Sequence, residues 1–168
     1  MQKEVVRVLR VDAHLSYIPP CAYNRFMNHA KPSIRHRRGV VGVIFRDDCL
    51  LVIRRSMTVA APGMLCLPGG GIELGESEPE ALVREMQEEL AIDVDPIQLC
   101  WRSVTAWGTN LAWWLAHLDD EVTPVANPAE VAEFHWMTVE QIRGADNMLP
   151  SLPAFMDAWG RGEVDLTR

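Results

Sequence analysis

From Gly39 onward the apolar residues fall in short runs separated by polar and turn-forming positions. Runs of apolar and β-branched residues bounded by Gly, Pro or Asp are typical of strands. The predicted strands occupy residues 40–45, 50–53, 64–67, 97–107, 110–118 and 133–137. The first two flank Asp47-Asp48, so they are expected to form a β-hairpin.

Three helices are predicted among these strands. They are expected to begin near Ser77, Thr138 and Ser151. In the first, Leu82, Met86 and Leu90 recur at i, i+4 and i+8 and form one apolar stripe. Ser77 and Glu80 have the spacing of a capping box, which predicts where this helix begins.

The order of elements predicts the fold class. Strands and helices mix without a regular βαβ alternation, which indicates an α+β or α/β sandwich built on a largely mixed sheet. Residues 1–37 show only weak periodicity and are predicted to be an N-terminal extension packed on a domain formed by residues 38–168.

Composition excludes several classes of protein. Hydrophobic residues make up 48% and charged residues 23% of the 168 positions, as in ordinary globular domains. No apolar run approaches the roughly 20 residues of a membrane helix, and no secretory signal is visible. We therefore expect a cytoplasmic protein with no membrane contact. The four cysteines form no C-x-x-C pair, so they indicate reduced thiols and no zinc site.

The net charge of −7 is concentrated in one segment. Residues 73–95 hold nine acids and one base, so this segment carries −8 and the rest of the chain sums to +1. Residues 1–62 are basic, with eleven Lys/Arg against four Asp/Glu. The overall negative charge disfavours double-stranded nucleic acid, while the basic first third is expected to face phosphates on a smaller ligand.

Three glutamates in the predicted helix indicate a cation site. Glu85, Glu88 and Glu89 stand at i, i+3 and i+4 and share one helix face. Like charges at this spacing destabilise a helix by roughly 0.2–0.5 kcal/mol per pair. A hard divalent cation such as Mg²⁺ would relieve the repulsion. The alternative is a solvated acidic face, which the glycine-rich loop before the helix and the isolated Arg84 disfavour.

The segment from Gly70 to Ile92 resembles a Nudix box, G-x5-E-x7-R-E-U-x-E-E-x-G-U, where U is a bulky aliphatic residue. Glu76 follows Gly70 at the required spacing, and Arg84-Glu85-Met86-Gln87-Glu88-Glu89 follows at the next. Eight of the nine specified positions match. The exception is Ala91, where the motif has Gly. Ala is strained at positive φ, so the helix is expected to end differently here.

The resemblance implies a Nudix fold, an α+β sandwich with a mixed sheet between helices. It also implies Mg²⁺-dependent or Mn²⁺-dependent hydrolysis of a phosphoanhydride in a nucleoside di- or triphosphate derivative, with metal-activated water as nucleophile. The implied metal site comprises Glu85, Glu88, Glu89 and the backbone of Gly70. The catalytic group adds Arg84, and Glu76 together with Arg84 would orient the carboxylates.

Arginines and late glutamates are further candidates for the site. Arg54 and Arg55 follow the second predicted strand, and Arg38 precedes the first. They are candidates for phosphate contact, with an ordinary surface position as the alternative. Glu130 and Glu133 lie at or just before the last strand, where either one is a candidate for an additional carboxylate.

Three tryptophans are candidates to stack on a base. Trp107, Trp113 and Trp114 lie in or near two neighbouring predicted strands. Adjacent Trp113 and Trp114 point to opposite faces of a strand, so at most one of that pair reaches a pocket. The alternative, which the pattern favours, is that these side chains fill the core.

Two functions follow from these observations. The first is a pyrophosphohydrolase acting on a small nucleotide. The second is a nucleotide-binding or sensing module without turnover, which Ala91 and the extension suggest. Retention of every charged box position favours the first. The resemblance is also compatible with a homodimer. The residues do not identify the group linked to the nucleotide.

Overall fold

The structure, a computed structural model, describes residues 37–167. The predicted N-terminal extension lies outside these residues, apart from Arg37, and so does Cys21. The division of the chain at residue 37/38 therefore stays a prediction.

Six strands and three helices make up the described part of the chain. They are β1 (Arg38–Arg46), β2 (Cys49–Arg55), β3 (Leu65–Cys66), α1 (Glu78–Leu90), β4 (Asp95–Val104), β5 (Asn110–His117), β6 (Val131–Met137), α2 (Val139–Arg143) and α3 (Ser151–Gly160). None of these helices has the length and apolarity that crossing a bilayer requires.

The strands form one mixed sheet in the order β3-β2-β1-β5-β4, with β6 paired to β2. β1 pairs in parallel with β5 over most of its length and antiparallel with β2 only at Phe45 and Arg46. The remaining pairs are antiparallel. The predicted hairpin, mixed sheet and α+β class are confirmed.

Alternation along β1 divides the apolar core between the two faces of the sheet. Val40 and Ile44 pack with the stripe of α1, whereas Val41 and Val43 pack with α2 and α3. Successive side chains of a strand point to opposite faces, so each strand serves both layers. Leu82, Met86 and Leu90 are fully buried, as the helical spacing predicts.

The predicted end of the fourth strand is wrong. β4 stops at Val104, and residues 105–108 form a turn before β5. The N–H of Thr105 bonds to the carbonyl of Thr109, and Gly108 adopts φ 76°, a conformation that suits glycine. These contacts close a tight hairpin and place Trp107 in its turn.

Helix α1 begins and ends through specific caps. Ser77 and Glu80 form the predicted capping box. At the other end Ala91 adopts the left-handed conformation, φ 52° and ψ 40°, and its N–H bonds to the carbonyl of Gln87. The expectation that Ala91 would change the helix end is therefore wrong. The backbone at Ala91 makes the left-handed turn that is typical of glycine, although a Cβ is strained in that conformation.

Replacing Ala91 by Gly should stabilise the protein. A left-handed conformation costs an L-residue about 1–2 kcal/mol, which glycine would avoid. Glycine also increases the conformational entropy of the unfolded chain, which offsets about 0.4–1 kcal/mol of this gain. We expect Ala91→Gly to raise the free energy of unfolding in urea by about 0.5–1 kcal/mol. The control is Ala132→Gly in an exposed position of β6, which should lower it. A loss of stability in both variants would contradict this account.

Candidate active site

The three box glutamates of α1 occupy different environments. Glu85 and Glu89 are buried, with 7% and 4% of each residue exposed. The side chain of Glu88 is 49% exposed. Helical geometry turns Glu85 and Glu89 toward the sheet, one turn apart, while Glu88 lies at the rim. The helix therefore buries two carboxylates that a solvated acidic face would leave in water.

A glycine segment, Gly69 to Gly71, receives these two carboxylates. It runs beside β1, where the N–H of Val40 bonds to the carbonyl of Gly70 at 2.9 Å. The N–H of Gly69 donates to Oε2 of Glu89 at 2.8 Å. An added Cβ at Gly70 would lie 2.4–2.6 Å from the carboxyl atoms of Glu85. Gly70 is thus required for space, because the carboxyl group lies directly against its Cα.

Arg84 links the carboxylates to one another. Its guanidinium binds both carboxyl oxygens of Glu76, at 2.9 and 3.0 Å. It also donates to Glu85 and Glu88, each at 2.9 Å, and to the carbonyl of Gly71 at 2.7 Å. These hydrogen bonds raise the pKa of Arg84 and lower that of Glu76. A single fixed cation therefore orients three of the acids.

The two buried carboxylates form a cluster with a half-buried glutamate from outside the box. Carboxyl oxygens of Glu85, Glu89 and Glu130 all lie within 4.8 Å of one another. The loop before β6 delivers Glu130 and closes the end of α1, where Asn127 donates to the carbonyls of Glu88 and Glu89. The N–H of Ser56 holds the backbone carbonyl of Glu130 at 2.8 Å.

The electrostatics of this cluster favour a bound cation. Burial raises the pKa of Glu89 to about 8, with Glu85 and Glu130 adding to the rise against the opposing hydrogen bond from Gly69. Burial also raises the pKa of Glu85, although Arg84 opposes it. Three hard oxygen donors this close together suit Mg²⁺ or Mn²⁺. The donor set therefore fits the cation that the box implies.

A cavity of about 830 Å³ opens beside the glycine segment. Its wall crosses the sheet from Arg55 and Cys66, past Gly39 at the start of β1, to Ser103 on β4. The described residues that line it include three arginines, Arg37, Arg38 and Arg55, and no aspartate or glutamate. In a chain of net charge −7 this lining is suited to an anionic ligand.

The structure separates the predicted substrate contacts into two groups. Arg55 and Trp107 line the cavity. Arg54 and Glu133 do not, because they form an ion pair with each other elsewhere on the sheet, with His135 nearby. Arg54 and Arg55 are neighbours in β2 and must point to opposite faces. Arg54 and Glu133 do not line this cavity, and their contact with substrate stays a prediction.

Trp113 and Trp114 are structural. Trp113 is 1% exposed, stacks on Phe155 with ring centroids 4.7 Å apart, and belongs to the core. The indole N–H of Trp114 donates to Glu78 at 3.1 Å. The prediction that these tryptophans fill the core is confirmed for Trp113 and is wrong for Trp107, which is exposed.

A family model of the NUDIX domain matches residues 35–158, most of the chain. The chain belongs to the Nudix family. It is 29% identical over 136 residues to a Nudix hydrolase from Deinococcus radiodurans, a match that covers 65% of this chain and 78% of that protein. Family and relatives confirm the predicted resemblance and the predicted class, a hydrolase.

Two further matches extend this result. The Nudix chain is 26% identical over 149 residues to the NAD-capped RNA hydrolase NudC of Stutzerimonas stutzeri, covering 86% of this chain but 47% of that protein. The crystal structure of a MutT protein from Methanosarcina mazei superimposes with a TM-score of 0.65 at 21% identity, covering 76% of this chain and 94% of that one. The second likeness is one of fold, and it confirms the predicted Nudix fold.

Glu130 is the residue of this Nudix site that local sequence reasoning could not select. It and Glu133 were equal candidates for a late carboxylate, and only the contacts of the folded chain separate them. Asn127, three residues earlier, caps the carbonyl end of α1, a long-range contact that brings the loop carrying Glu130 to the site.

Replacing Gly70 by Ala should disturb the cation site more than the fold. The new methyl group must displace the end of a flexible side chain, Glu85, so stability without cation should change little. We expect Mg²⁺ or Mn²⁺ to bind about 10-fold or more weakly in Gly70→Ala, measured by calorimetric titration. Gly71→Ala is the matched control, since an added Cβ there meets no atom within 4 Å. Equal affinity in both variants would contradict the assigned geometry.

Glu89→Gln should change how stability depends on pH. The pKa of Glu89 lies above its ordinary value, so its contribution to stability is complete below pH 4.5 and is lost as the pH rises through about 8. Glutamine does not ionise. From pH 5 to pH 9 in EDTA, the free energy of unfolding should therefore shift in favour of Glu89→Gln by at least about 1.4 kcal/mol, the value of one pKa unit.

Glu121→Gln, on an exposed loop, is the control for this measurement and should follow the wild type across the same pH range. If the free energy of unfolding of Glu89→Gln and of wild type changed with pH in parallel, ionisation of Glu89 would not destabilise the folded protein, and this account would be wrong.

Proposed function

We propose that this Nudix protein is a Mg²⁺-dependent pyrophosphohydrolase, with Mn²⁺ as an alternative cation. Its substrate is a nucleoside di- or triphosphate derivative, and it cleaves a phosphoanhydride bond. The observation that carries the proposal is a compact group of three carboxylates, two of them buried, beside a cavity lined by arginines. The names of its relatives, a Nudix hydrolase and a NAD-capped RNA hydrolase, support this reaction class.

Glu85, Glu89 and Glu130 would hold the cation. When bound, a divalent cation neutralises diphosphate charge and lowers the pKa of a water so that it can attack phosphorus. The carbonyl of Gly70 accepts one hydrogen bond from Val40, and a carbonyl oxygen has a second lone pair that can bind a cation. Glu88 lies outside the compact group and contributes from the rim, where Arg84 holds it.

A bound cation would keep the buried carboxylates ionised, and an ionised carboxylate can accept a proton. The N–H of Gly69 occupies Oε2 of Glu89, so Oε1 is the free atom. The guanidinium of Arg84 similarly occupies Oε1 of Glu85. Hydrogen bonds that fix each carboxylate leave one defined oxygen for proton transfer, which is the geometry that general-base catalysis needs.

Arg55 is the strongest candidate for phosphate contact. Its Nε donates to the carbonyl of Ala60 at 2.7 Å, which fixes the side chain at the cavity wall. Unlike Arg54, it makes no ion pair with a carboxylate among residues 37–167. A positioned guanidinium without a carboxylate partner suits a substrate phosphate, because such contacts are charge-assisted and can be bidentate.

A nucleotide sensor without turnover is the alternative function. It would predict nucleotide binding by calorimetry with no product. The buried carboxylate group argues against it, since a module that only binds has no use for ionisable acids held in an apolar environment at a cost.

The proposal is tested by hydrolysis of a substrate panel with Mg²⁺. The panel comprises nucleoside triphosphates, sugar nucleotides and dinucleotides, and the products identify the bond cleaved. We expect turnover by wild type and a loss of about 100-fold or more in kcat for Glu89→Gln. Arg55→Ala should raise KM by about 10-fold or more, the value of a lost charge-assisted hydrogen bond.

Arg54→Ala is the matched control, because this neighbouring arginine points away from the cavity and should leave both kcat and KM near wild type. Binding of a panel member without products would favour the sensor. Turnover that Glu89→Gln leaves unchanged would exclude the proposed site.

A further inference from the structure

Trp107 is an unusual side chain in this fold. All six tryptophans of the chain lie in its described part, and Trp107 alone is exposed, with 71% of the residue accessible. It lines the cavity together with its neighbours Val104 and Ala106. A large apolar ring held in water at the wall of a cavity indicates a ligand contact, since burial of the ring by a ligand recovers its hydrophobic free energy.

The hairpin between β4 and β5 holds the backbone that carries this ring. The N–H of Thr105 bonds to the carbonyl of Thr109, and the N–H of Gly108 bonds back to the carbonyl of Thr105, each at 2.9 Å. The hydroxyl of Thr105 accepts the N–H of Thr109 at 3.1 Å. Three hydrogen bonds in five residues make the turn rigid, so little conformational entropy remains to be lost when a ligand binds.

The cavity connects Trp107 with the carboxylate site. From the glycine segment it crosses β1 and β5 before it reaches β4. Three strand spacings amount to about 14 Å, comparable to the length of an extended nucleoside diphosphate. Arg55 lies at the end of β2, and Arg37 and Arg38 lie at the start of β1, next to β5. The β4 side of the cavity is lined by Val104, Ala106 and Trp107 and by three hydroxyl-bearing residues, Ser103, Thr105 and Thr109. The residues that line the β4 side carry no charge, which assigns the ring to that side and the phosphates to the glycine segment and the arginines.

We propose that Trp107 stacks on the base of the nucleotide substrate and determines the direction in which the substrate lies. The base rests on the β4–β5 hairpin, and the phosphates extend along the start of β1 to Gly69–Gly71 and Arg55. This inference rests on the proposed function and adds a recognition element to it. Stacking accepts any base, because every base has a π-face, so Trp107 selects base-bearing substrates over base-free diphosphates.

The other tryptophans cannot take this role. Trp113 already stacks on Phe155, and its indole N–H donates to Ser103 at 2.9 Å. Trp114 lies on the face of the sheet that packs against α1. Trp107 is thus the tryptophan with a free ring face at the cavity.

The test compares binding of two kinds of probe in the presence of Mg²⁺. One is the set of α,β-methylene diphosphates of adenosine, guanosine, cytidine and uridine, and the other is methylenediphosphonate, which has no base. We expect Trp107→Ala to weaken binding of the preferred nucleotide probe roughly 5- to 100-fold and to leave methylenediphosphonate unchanged. Trp107→Phe should restore most of the affinity. Ile97→Ala, at an exposed position of β4 outside the cavity, should change neither.

Three outcomes would overturn the inference. They are equal nucleotide affinity in Trp107→Ala and wild type, equal loss of both kinds of probe, and wild-type affinity for the nucleotides no higher than for methylenediphosphonate. With hydrolysable substrates, the effect of Trp107→Ala should fall on KM, with kcat changed far less. If wild type hydrolyses the substrates and Trp107→Ala has the same KM, the stacking inference is rejected and the proposed function stands. If wild type shows no turnover, the proposed function is rejected.

Discussion

The close approach of α1 to a glycine segment is the constraint on which this molecule depends. Glu85 lies where a Cβ of Gly70 would be, and Glu89 accepts the N–H of Gly69. Glu85 can take this buried position only because Gly70 has no side chain, and Gly69 can lie this close to β1 for the same reason. The burial carries an electrostatic cost, visible in the raised pKa of Glu89. That cost is the physical reason to expect a cation.

The surrounding structure serves this contact. Arg84 holds Glu76, Glu85 and Glu88 in one network. The loop before β6 closes the carbonyl end of α1 through Asn127 and brings Glu130 to the same point. The left-handed Ala91 ends the helix, so that the chain can turn away directly after the last glutamate. The same short segments therefore end the helix and bring the site residues together.

Charge is separated across the active site. The acids gather beneath the glycine segment, while the cavity wall carries arginines and no acid among the described residues. A cation and a polyanion can each be attracted to its own region with little mutual interference. The net charge of −7 comes from one loop and helix, and not from the surface that a nucleotide would meet.

The amino-acid sequence by itself determined α1, its N-terminal capping box, the glycine segment and the acids of the box. These features lie within 23 consecutive residues, and helical periodicity relates their side chains directly. Only the tertiary structure decided which distant residues join them. Arg55 is at the cavity and Arg54 is not, because neighbours in a strand face opposite ways. Glu130 and not Glu133 reaches the cluster, because loop paths and strand ends place them. Trp107 presents an exposed ring at the cavity, whereas Trp113, which also lines it, is buried in the core. Such contacts join residues far apart in the chain, and no local pattern records them.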